Sequence, residues 1–219
     1  AATDSEIQLA KTIAYCNIGY VEAQSGSLQK AIDVYEKAKH LYFSENLSNY
    51  DIIEYCLKPL GNLYIKSQAL SEAENTIKHY ILYAKETEQN KQETSGIINL
   101  SVLYHNRGEF EKVKNMLLQT LKKDPSNLDL KLNLASAYFA LNETEETKLL
   151  LKNILRANSQ NVQALQLLAQ VNLSEKEYDN AIFNLKNTLK LLQNKGNCKT
   201  ALVFSGNLSR SESTFQFFF

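Results

Sequence analysis

The chain has 219 residues, of which 44% are hydrophobic and 22% are charged, and it contains only seven glycines and two prolines. This composition is typical of a soluble globular protein and excludes a disordered, collagen-like or disulfide-scaffold chain. Its 24 basic and 24 acidic residues balance, so it lacks the excess positive charge that nucleic-acid and anionic-membrane binders usually carry. We therefore expect neither nucleic acid nor a membrane as a partner.

The cysteines and the apolar runs indicate the compartment. Cys16, Cys56 and Cys198 are odd in number and widely spaced, which does not support a set of structural disulfides and favours a reducing compartment. No apolar run approaches the roughly 18 residues that a membrane span needs, and no basic and then apolar leader opens the sequence. We expect a cytoplasmic protein.

Helices are predicted along almost the whole chain. Glycine and proline are too few for many tight turns, whereas the helix-favouring residues Leu, Lys, Glu, Gln and Ala dominate. Pro59 lies inside one predicted helix, where we expect a kink or a late start because proline removes a helical hydrogen bond. In chain order, the apolar spacing predicts helices at 5–24, 28–44, 49–66, 70–88, 92–106, 110–123, 127–140, 144–157, 161–173 and 178–193.

Five segments of the chain align with one another without gaps, each covering a pair of these helices. In the first helix of each pair an apolar residue precedes a small residue, termed the small site, which lets two helices touch. Twelve residues later a second small or branched residue follows, and a bulky apolar residue stands four positions beyond it. These spacings place one apolar stripe on each of two helices joined by a short turn, so each unit is a helical hairpin. The small sites are Gly19, Gly61, Ser101, Ala135 and Ala169.

The turns and the lengths of the units vary. Gly26 and Gly108 suit a backbone that must reverse, while Asn142 and Lys176 stand at the same place in two other units, where we expect looser hairpins. The small sites are 42, 40, 34 and 34 residues apart. We expect the surplus in the first two units to lengthen their helices by about a turn each.

This pattern resembles the tetratricopeptide repeat (TPR), over about residues 12–195. Pro125, in the segment LKKDPSNLD, also falls where that family usually has its helix-ending proline. The resemblance implies an all-α fold: a right-handed superhelical solenoid of five TPR hairpins over residues 1–195, followed by an irregular or capping segment over residues 196–219 that carries a phenylalanine cluster. The segment CLKPLGNLY is also similar to the repeat arms of bacterial CHAT (caspase-like) proteins.

The concave surface that such a stack creates is the candidate binding groove, because stacked hairpins line it with the first helix of every pair. Helical spacing around each small site identifies the side chains that point inward. From these we select the following candidate site residues: Asn17, Tyr20, Gln24, Tyr55, Lys58, Asn62, Asn99, Asn106, Asn133, Ser136, Phe139, Gln166 and Gln170.

Asparagine recurs two residues before the small site in three units, as Asn17, Asn99 and Asn133. A carboxamide offers one acceptor and two donors, so it can pair with the C=O and N–H of an extended peptide without reading the peptide's side chains. The TPR resemblance implies this role for the three residues. The alternative is that these asparagines are solvated surface residues, although asparagine is disfavoured inside helices.

A second TPR motif, the clamp that holds the C-terminal carboxylate of chaperones, is incomplete. The resemblance implies clamp roles for Lys58, Asn62 and Asn99, but Asp129 and Asn133 stand where the clamp needs two cations. An aspartate there would repel a carboxylate, so we do not expect a chaperone tail as the ligand.

No motif for catalysis, cofactor binding or metal binding is present. The three histidines lie in different hairpins without a partner three or four residues away, and no glycine-rich phosphate loop occurs. We predict a non-enzymatic scaffold without cofactors that binds a protein or peptide. Self-association of the chain is also compatible with this prediction. The alternative is a regulatory or oligomerisation arm of a larger, protease-like enzyme.

Overall fold

The computed structural model describes residues 3–45, 47 and 51–194. These residues form ten α-helices in five consecutive pairs and contain no β-strand, which confirms the predicted all-α fold of five helical hairpins. The predicted cap or tail over residues 196–219, with Cys198 and the phenylalanine cluster, lies outside the described residues. The helices are α1 (Asp4–Gln24), α2 (Leu28–Ser44), α3 (Asp51–Lys66), α4 (Leu70–Glu86), α5 (Asn90–Asn106), α6 (Phe110–Lys123), α7 (Leu128–Ala140), α8 (Thr144–Ala157), α9 (Val162–Ser174) and α10 (Tyr178–Asn194).

Side-chain caps start three of the first helices. At α1, the Thr3 hydroxyl accepts the Glu6 N–H at 3.3 Å while the Glu6 carboxylate accepts the Thr3 N–H at 2.7 Å, which is a capping box. Asn127 caps α7 by accepting two backbone N–H groups, and Asn161 caps α9 by accepting one. Such caps satisfy amide groups that have no partner inside the helix. Helix α3 begins at Asp51 and runs through Pro59 to Lys66, so it does not begin late at the proline.

The chain divides into two compact units, of which unit 1 runs to Leu103 and unit 2 begins at Tyr104, inside α5. In unit 1, α1 packs against α2, α2 and α1 both contact α3, and α3 packs against α4.

The small sites do what the sequence predicts in unit 1. A Cβ atom added to Gly19 would lie 2.8 Å from Cδ2 of Tyr35, and one added to Gly61 would lie 2.7 Å from Cγ1 of Ile77. Because these distances are shorter than carbon atoms allow, glycine is what permits the two helices of each hairpin to approach so closely.

Unit 2 continues the same packing through α6 to α10, in which each helix contacts the next along the chain. Its core contains residues from both helices of the fourth hairpin and from the first helix of the fifth, so it spans a junction between hairpins. The buried members of this core are Leu132, Ala135, Leu151, Ile154, Ala164, Leu167 and Val171.

The turns reverse through a residue in the left-handed backbone region, whatever its type. Gly26 has φ 83° and Gly108 has φ 75°, and Asn142 and Lys176 adopt φ 61° and 64° at the equivalent places. An L-residue in this region costs roughly 1–2 kcal/mol relative to its right-handed conformation. Gln68 has φ 62° at the equivalent place of the second hairpin. The three departures from glycine therefore keep the turn geometry and accept its strain.

Candidate functional site

The predicted site residues of unit 1 lie on three first helices that run side by side. Helix α1 contacts α3 directly, and α3 is joined to α5 by a hydrogen bond in which the Gln92 amide donates to the Glu54 carboxylate at 3.4 Å. Four of the seven side chains are exposed and the others are half-buried. We call this set the unit 1 face: Asn17, Tyr20, Gln24, Tyr55, Lys58, Asn62 and Asn99.

Two tyrosines are the most exposed aromatic side chains of the unit 1 face. Tyr20 of α1 is 60% exposed and Tyr55 of α3 is 68% exposed. Aromatic rings this accessible offer a large apolar contact area together with a polar hydroxyl group, the combination that is enriched at protein interfaces. They can supply the contact area that carboxamides do not.

The only cation among the unit 1 face residues is already paired. The Lys58 ammonium lies 3.3 Å from the Glu54 carboxylate one turn away, and the same carboxylate accepts the hydrogen bond from Gln92. Since Glu54 offsets its charge, Lys58 is a poor anchor for an anionic ligand. The face is close to neutral and better matched to a peptide backbone than to a carboxylate tail.

The remaining predicted residues belong to unit 2. Asn106 ends α5 and is exposed, while Asn133 and Phe139 of α7 and Gln166 and Gln170 of α9 are half-buried. We call these five residues the unit 2 face. The Asn133 amide donates to the Asp129 carbonyl of its own helix at 2.9 Å. One of its two donors is therefore used locally, which distinguishes Asn133 from the asparagines of the unit 1 face.

Ser136, also predicted for the groove, has a buried side chain that is only 5% exposed. Its hydroxyl has no hydrogen-bond partner within the described part of the chain. The neighbouring His105 ring donates a hydrogen bond to the Ser136 carbonyl and packs edge-on against Phe110, with ring centroids 4.9 Å apart. Burial lowers the pKa of His105 below its usual value, which favours the neutral ring.

Sequence reasoning missed a pair of adjacent cysteines in the core of unit 1. Cys16 of α1 and Cys56 of α3 are 5% and 2% exposed, and their thiols are hydrogen-bonded to each other. Cys56 also contacts the Tyr35 carbonyl, with 3.6 Å between sulfur and oxygen. The hydrogen bond with Cys16, together with burial, raises the pKa of Cys56. Cys56 is therefore protonated and a poor nucleophile. The two cysteines lie on successive first helices, a periodicity that could have suggested their proximity.

Among the residues that the structure describes, no three His, Cys, Asp or Glu side chains lie close enough together to hold a metal ion. None of the described helices combines the length and the apolar character required to cross a lipid bilayer.

Comparison with known proteins identifies the repeats. Two family models, both described as tetratricopeptide repeat, match residues 13–42 and residues 104–171. These ranges lie in unit 1 and unit 2 respectively, so each unit carries the repeat independently. No curated protein matches the chain significantly.

Solved structures share the fold at low sequence identity. A putative kinesin light chain of Podosopora anserina with nearly identical TPR-like repeats is 16% identical, with 85% of this chain and 96% of that chain covered and a TM-score of 0.64. The MamA fragment from residue 41 to the end, of Desulfovibrio magneticus RS-1, is 13% identical, with coverages of 89% and 98% and a TM-score of 0.62. A MamA crystal structure is 16% identical, with coverages of 86% and 96% and a TM-score of 0.59. At these identities the likeness concerns the fold.

Proposed function

Because this chain belongs to the tetratricopeptide-repeat family, whose repeats serve as protein-interaction scaffolds, we propose that it binds an extended peptide segment of a protein partner along the unit 1 face. The observation that carries the proposal is a row of three carboxamides on neighbouring helices: Asn17, Asn62 and Asn99. Within the described residues, none of the three side chains is used in a hydrogen bond to the protein itself. Each is free to pair with a ligand.

The chemistry of the row suits a peptide backbone. Each carboxamide can accept from a backbone N–H and donate to a backbone C=O, the two groups that every residue of an extended chain presents. A peptide in this conformation repeats its backbone groups at 3.2–3.4 Å per residue, so several carboxamides can engage one strand. Recognition of this kind depends on the peptide's conformation more than on its sequence.

The energies require further contacts. A hydrogen bond contributes about 1 kcal/mol net, and micromolar binding needs about 8 kcal/mol. Three carboxamides therefore supply only part of the affinity, even if each makes two bonds. The exposed rings of Tyr20 and Tyr55 lie on the same helices as Asn17 and Asn62. They can supply apolar contact, which favours peptides with apolar side chains at one or two positions.

The test uses a selected peptide as the ligand. Random dodecapeptides displayed on phage are selected on the immobilised full chain, and the best binder is titrated by calorimetry against single variants. We expect Asn62→Ala and Asn99→Ala each to weaken binding about 5- to 30-fold, because each removes one or two hydrogen bonds of about 1 kcal/mol. N-methylation of a contacted peptide amide should weaken binding similarly, since the methyl group removes the donor.

Asn75→Ala is the matched control. Asn75 is an exposed asparagine of the second helix α4 in the same unit, so its loss tests whether any surface carboxamide matters. The control should bind like the unsubstituted chain. Full affinity in both the Asn62→Ala and Asn99→Ala variants, with unchanged circular dichroism, would contradict the carboxamide row.

We also propose that the whole chain is non-catalytic. This role fits the repeat family and the buried, protonated thiol of Cys56. We further propose that the partner is a protein rather than a nucleic acid or membrane, since the chain has equal numbers of basic and acidic residues. The alternative, an arm of a larger enzyme, gains no support from the family match.

A further inference from the structure

Three positions of each first helix from α3 onward face the preceding hairpin, and contacts at the first of these positions show the direction. They lie five residues before the small site, one before it and two after it. At the first position, Cys56 contacts the Tyr35 carbonyl of α2, and a Cβ atom added to Gly96 would lie 2.5 Å from Cγ1 of Ile81 on α4. Both partners belong to the hairpin before.

These positions are covered in all the later hairpins. In α3, α5, α7 and α9 each such residue is buried, except for Leu168, which is half-buried. All of them are apolar, cysteine or glycine. The set consists of Cys56, Leu60 and Leu63; Gly96, Leu100 and Leu103; Leu130, Leu134 and Ala137; and Ala164, Leu168 and Val171.

Helix α1 carries the same residue types at the same positions, but they are uncovered. Ala14 is exposed, Ile18 is 48% exposed and Val21 is 63% exposed. Ile7, two turns earlier on the same face, is 42% exposed. These four residues form the α1 end face, an apolar stripe that no other described residues cover.

Helix α10 presents the complementary surface. Tyr178, Ile182 and Leu189 lie on one side of the helix by their spacing and are 59%, 49% and 45% exposed. We call them the α10 end face. Leu189 occupies the place that Ile81 holds in α4, and Ile81 contacts the following first helix at Gly96. The α10 end face is therefore the surface that a following first helix covers.

The charges at the junctions show which ends match. In unit 2, a lysine 13 residues after the small site bonds to a glutamate in the next hairpin, with Lys114 and Glu143 at 2.7 Å and Lys148 and Glu175 also at 2.7 Å. The fifth hairpin has Ile182 in place of this lysine. If the hairpin next to Ile182 carried a glutamate at the place of Glu143 or Glu175, that glutamate would have no lysine to pair with.

The first hairpin offers no such acid in its turn. Its residues equivalent to Glu175 and Glu143 are Ser25 and Ser27. The first junction of the chain already has this uncharged form, because Ile32 stands at the lysine position and is 5% exposed. The turn that follows it carries Ser67 and Ala69 at the equivalent places. A contact between Ile182 and the residues Ser25 and Ser27 would have the same uncharged form as this first junction.

We propose that the α1 end face of one copy of this chain stacks on the α10 end face of a second copy, head to tail. The contact reproduces a junction between hairpins and leaves one α1 end face and one α10 end face free, so it can repeat and form an open series. It is independent of the unit 1 face and does not rest on the proposed peptide binding.

The experiment is sedimentation equilibrium of the full chain over a wide concentration range. The mass should rise with concentration past that of a dimer. Val21→Lys on the α1 end face and Ile182→Lys on the α10 end face should each give a monomer, because each removes one side of the contact. An equimolar mixture of the two variants should form a dimer and nothing larger, since one intact α1 end face and one intact α10 end face remain.

Tyr20→Lys is the matched control for Val21→Lys. It changes the adjacent residue of the same helix, with a similar exposure of 60%, but on the unit 1 face. It should associate like the unsubstituted chain, and unchanged circular dichroism checks the fold of all three variants. A chain that is monomeric at every concentration would overturn the proposal. So would an Ile182→Lys variant that still dimerises while Val21→Lys does not, because that result indicates a symmetric α1–α1 contact.

Discussion

The first and the fifth hairpin place the same residues at the same positions in different surroundings. Val21 and Val171 both stand two residues after the small site, and Ala14 and Ala164 both stand five residues before it. Val171 and Ala164 are completely buried, whereas Val21 is 63% exposed and Ala14 is also exposed. The repeat therefore determines which way a side chain points, and the neighbouring hairpin determines whether it is buried.

This difference has an energetic consequence. Burying a valine side chain contributes roughly 1.5–3 kcal/mol, and in this chain Val171 makes that contribution within the folded monomer. Val21 can make it only when something covers α1. The same residue type is thus a stabilising core residue in one hairpin and part of an interaction surface in another.

The largest expected effect comes from making one substitution in both hairpins. Val171→Ala should lower the free energy of unfolding by about 2–3 kcal/mol, because it removes two buried methyl groups and leaves a cavity. Val21→Ala should lower it by less than about 0.5 kcal/mol, since the side chain is mostly in water. Urea denaturation at a low protein concentration measures both free energies. Equal losses in the two variants would show that the two valines do not differ in their contribution to stability.

A methyl group at the small site should destabilise the first hairpin but stabilise the fifth. Gly19→Ala places a Cβ atom 2.8 Å from the Tyr35 ring, which is 2% exposed and cannot move aside. We expect a loss of about 1–3 kcal/mol from overpacking. Ala169→Gly in the fifth hairpin should cost about 2 kcal/mol, because glycine has a lower helix propensity and the methyl group of Ala169 is buried.

A double-mutant cycle separates the causes of the Gly19→Ala effect. If the contact with Tyr35 is responsible, Gly19→Ala should cost clearly less in a Tyr35→Leu background than in the unsubstituted chain. The same cost in both backgrounds would show that the loss does not come from this contact.

The turns of the two hairpins give the smallest effects. Lys176 has φ 64° in the fifth hairpin and Gly26 has φ 83° in the first. Lys176→Gly should raise the free energy of unfolding by about 0.5–1 kcal/mol, because relief of strain exceeds the added entropy of the unfolded chain. Gly26→Ala should lower it by about 1 kcal/mol, although no atom lies within 4 Å of the added Cβ. Thermal or urea denaturation measures the two changes, and changes of the same sign would contradict this explanation.

The helices were predictable because their spacing repeats. Every predicted helix end lies within two residues of the observed one, since apolar residues at helical spacing recur in five aligned units and the turns interrupt them. The left-handed turn residues at Gln68 and Glu88 were not predicted, because neither residue type favours that conformation. In these turns the packing of the flanking helices overrides local preference.

For the candidate site, helical spacing predicts which positions are equivalent in successive hairpins but not how accessible their side chains are. Helical spacing places Ser136 and Tyr20 at equivalent positions, yet Tyr20 is 60% exposed and Ser136 is 5% exposed. A small side chain is easily covered by larger neighbours, and the contact with His105 depends on two separate helices. The Lys58–Glu54 ion pair could have been predicted from the sequence, because opposite charges four residues apart on a helix attract.

The most direct test of the peptide-binding surface is a nuclear magnetic resonance titration of the full chain with the selected dodecapeptide. It should shift the side-chain NH₂ resonances of Asn17, Asn62 and Asn99 and leave those of Asn75 and the methyl resonances of Val21 unchanged. Shifts of the Val21 methyl groups without shifts of the three carboxamides would place the peptide on the α1 end face and contradict the account.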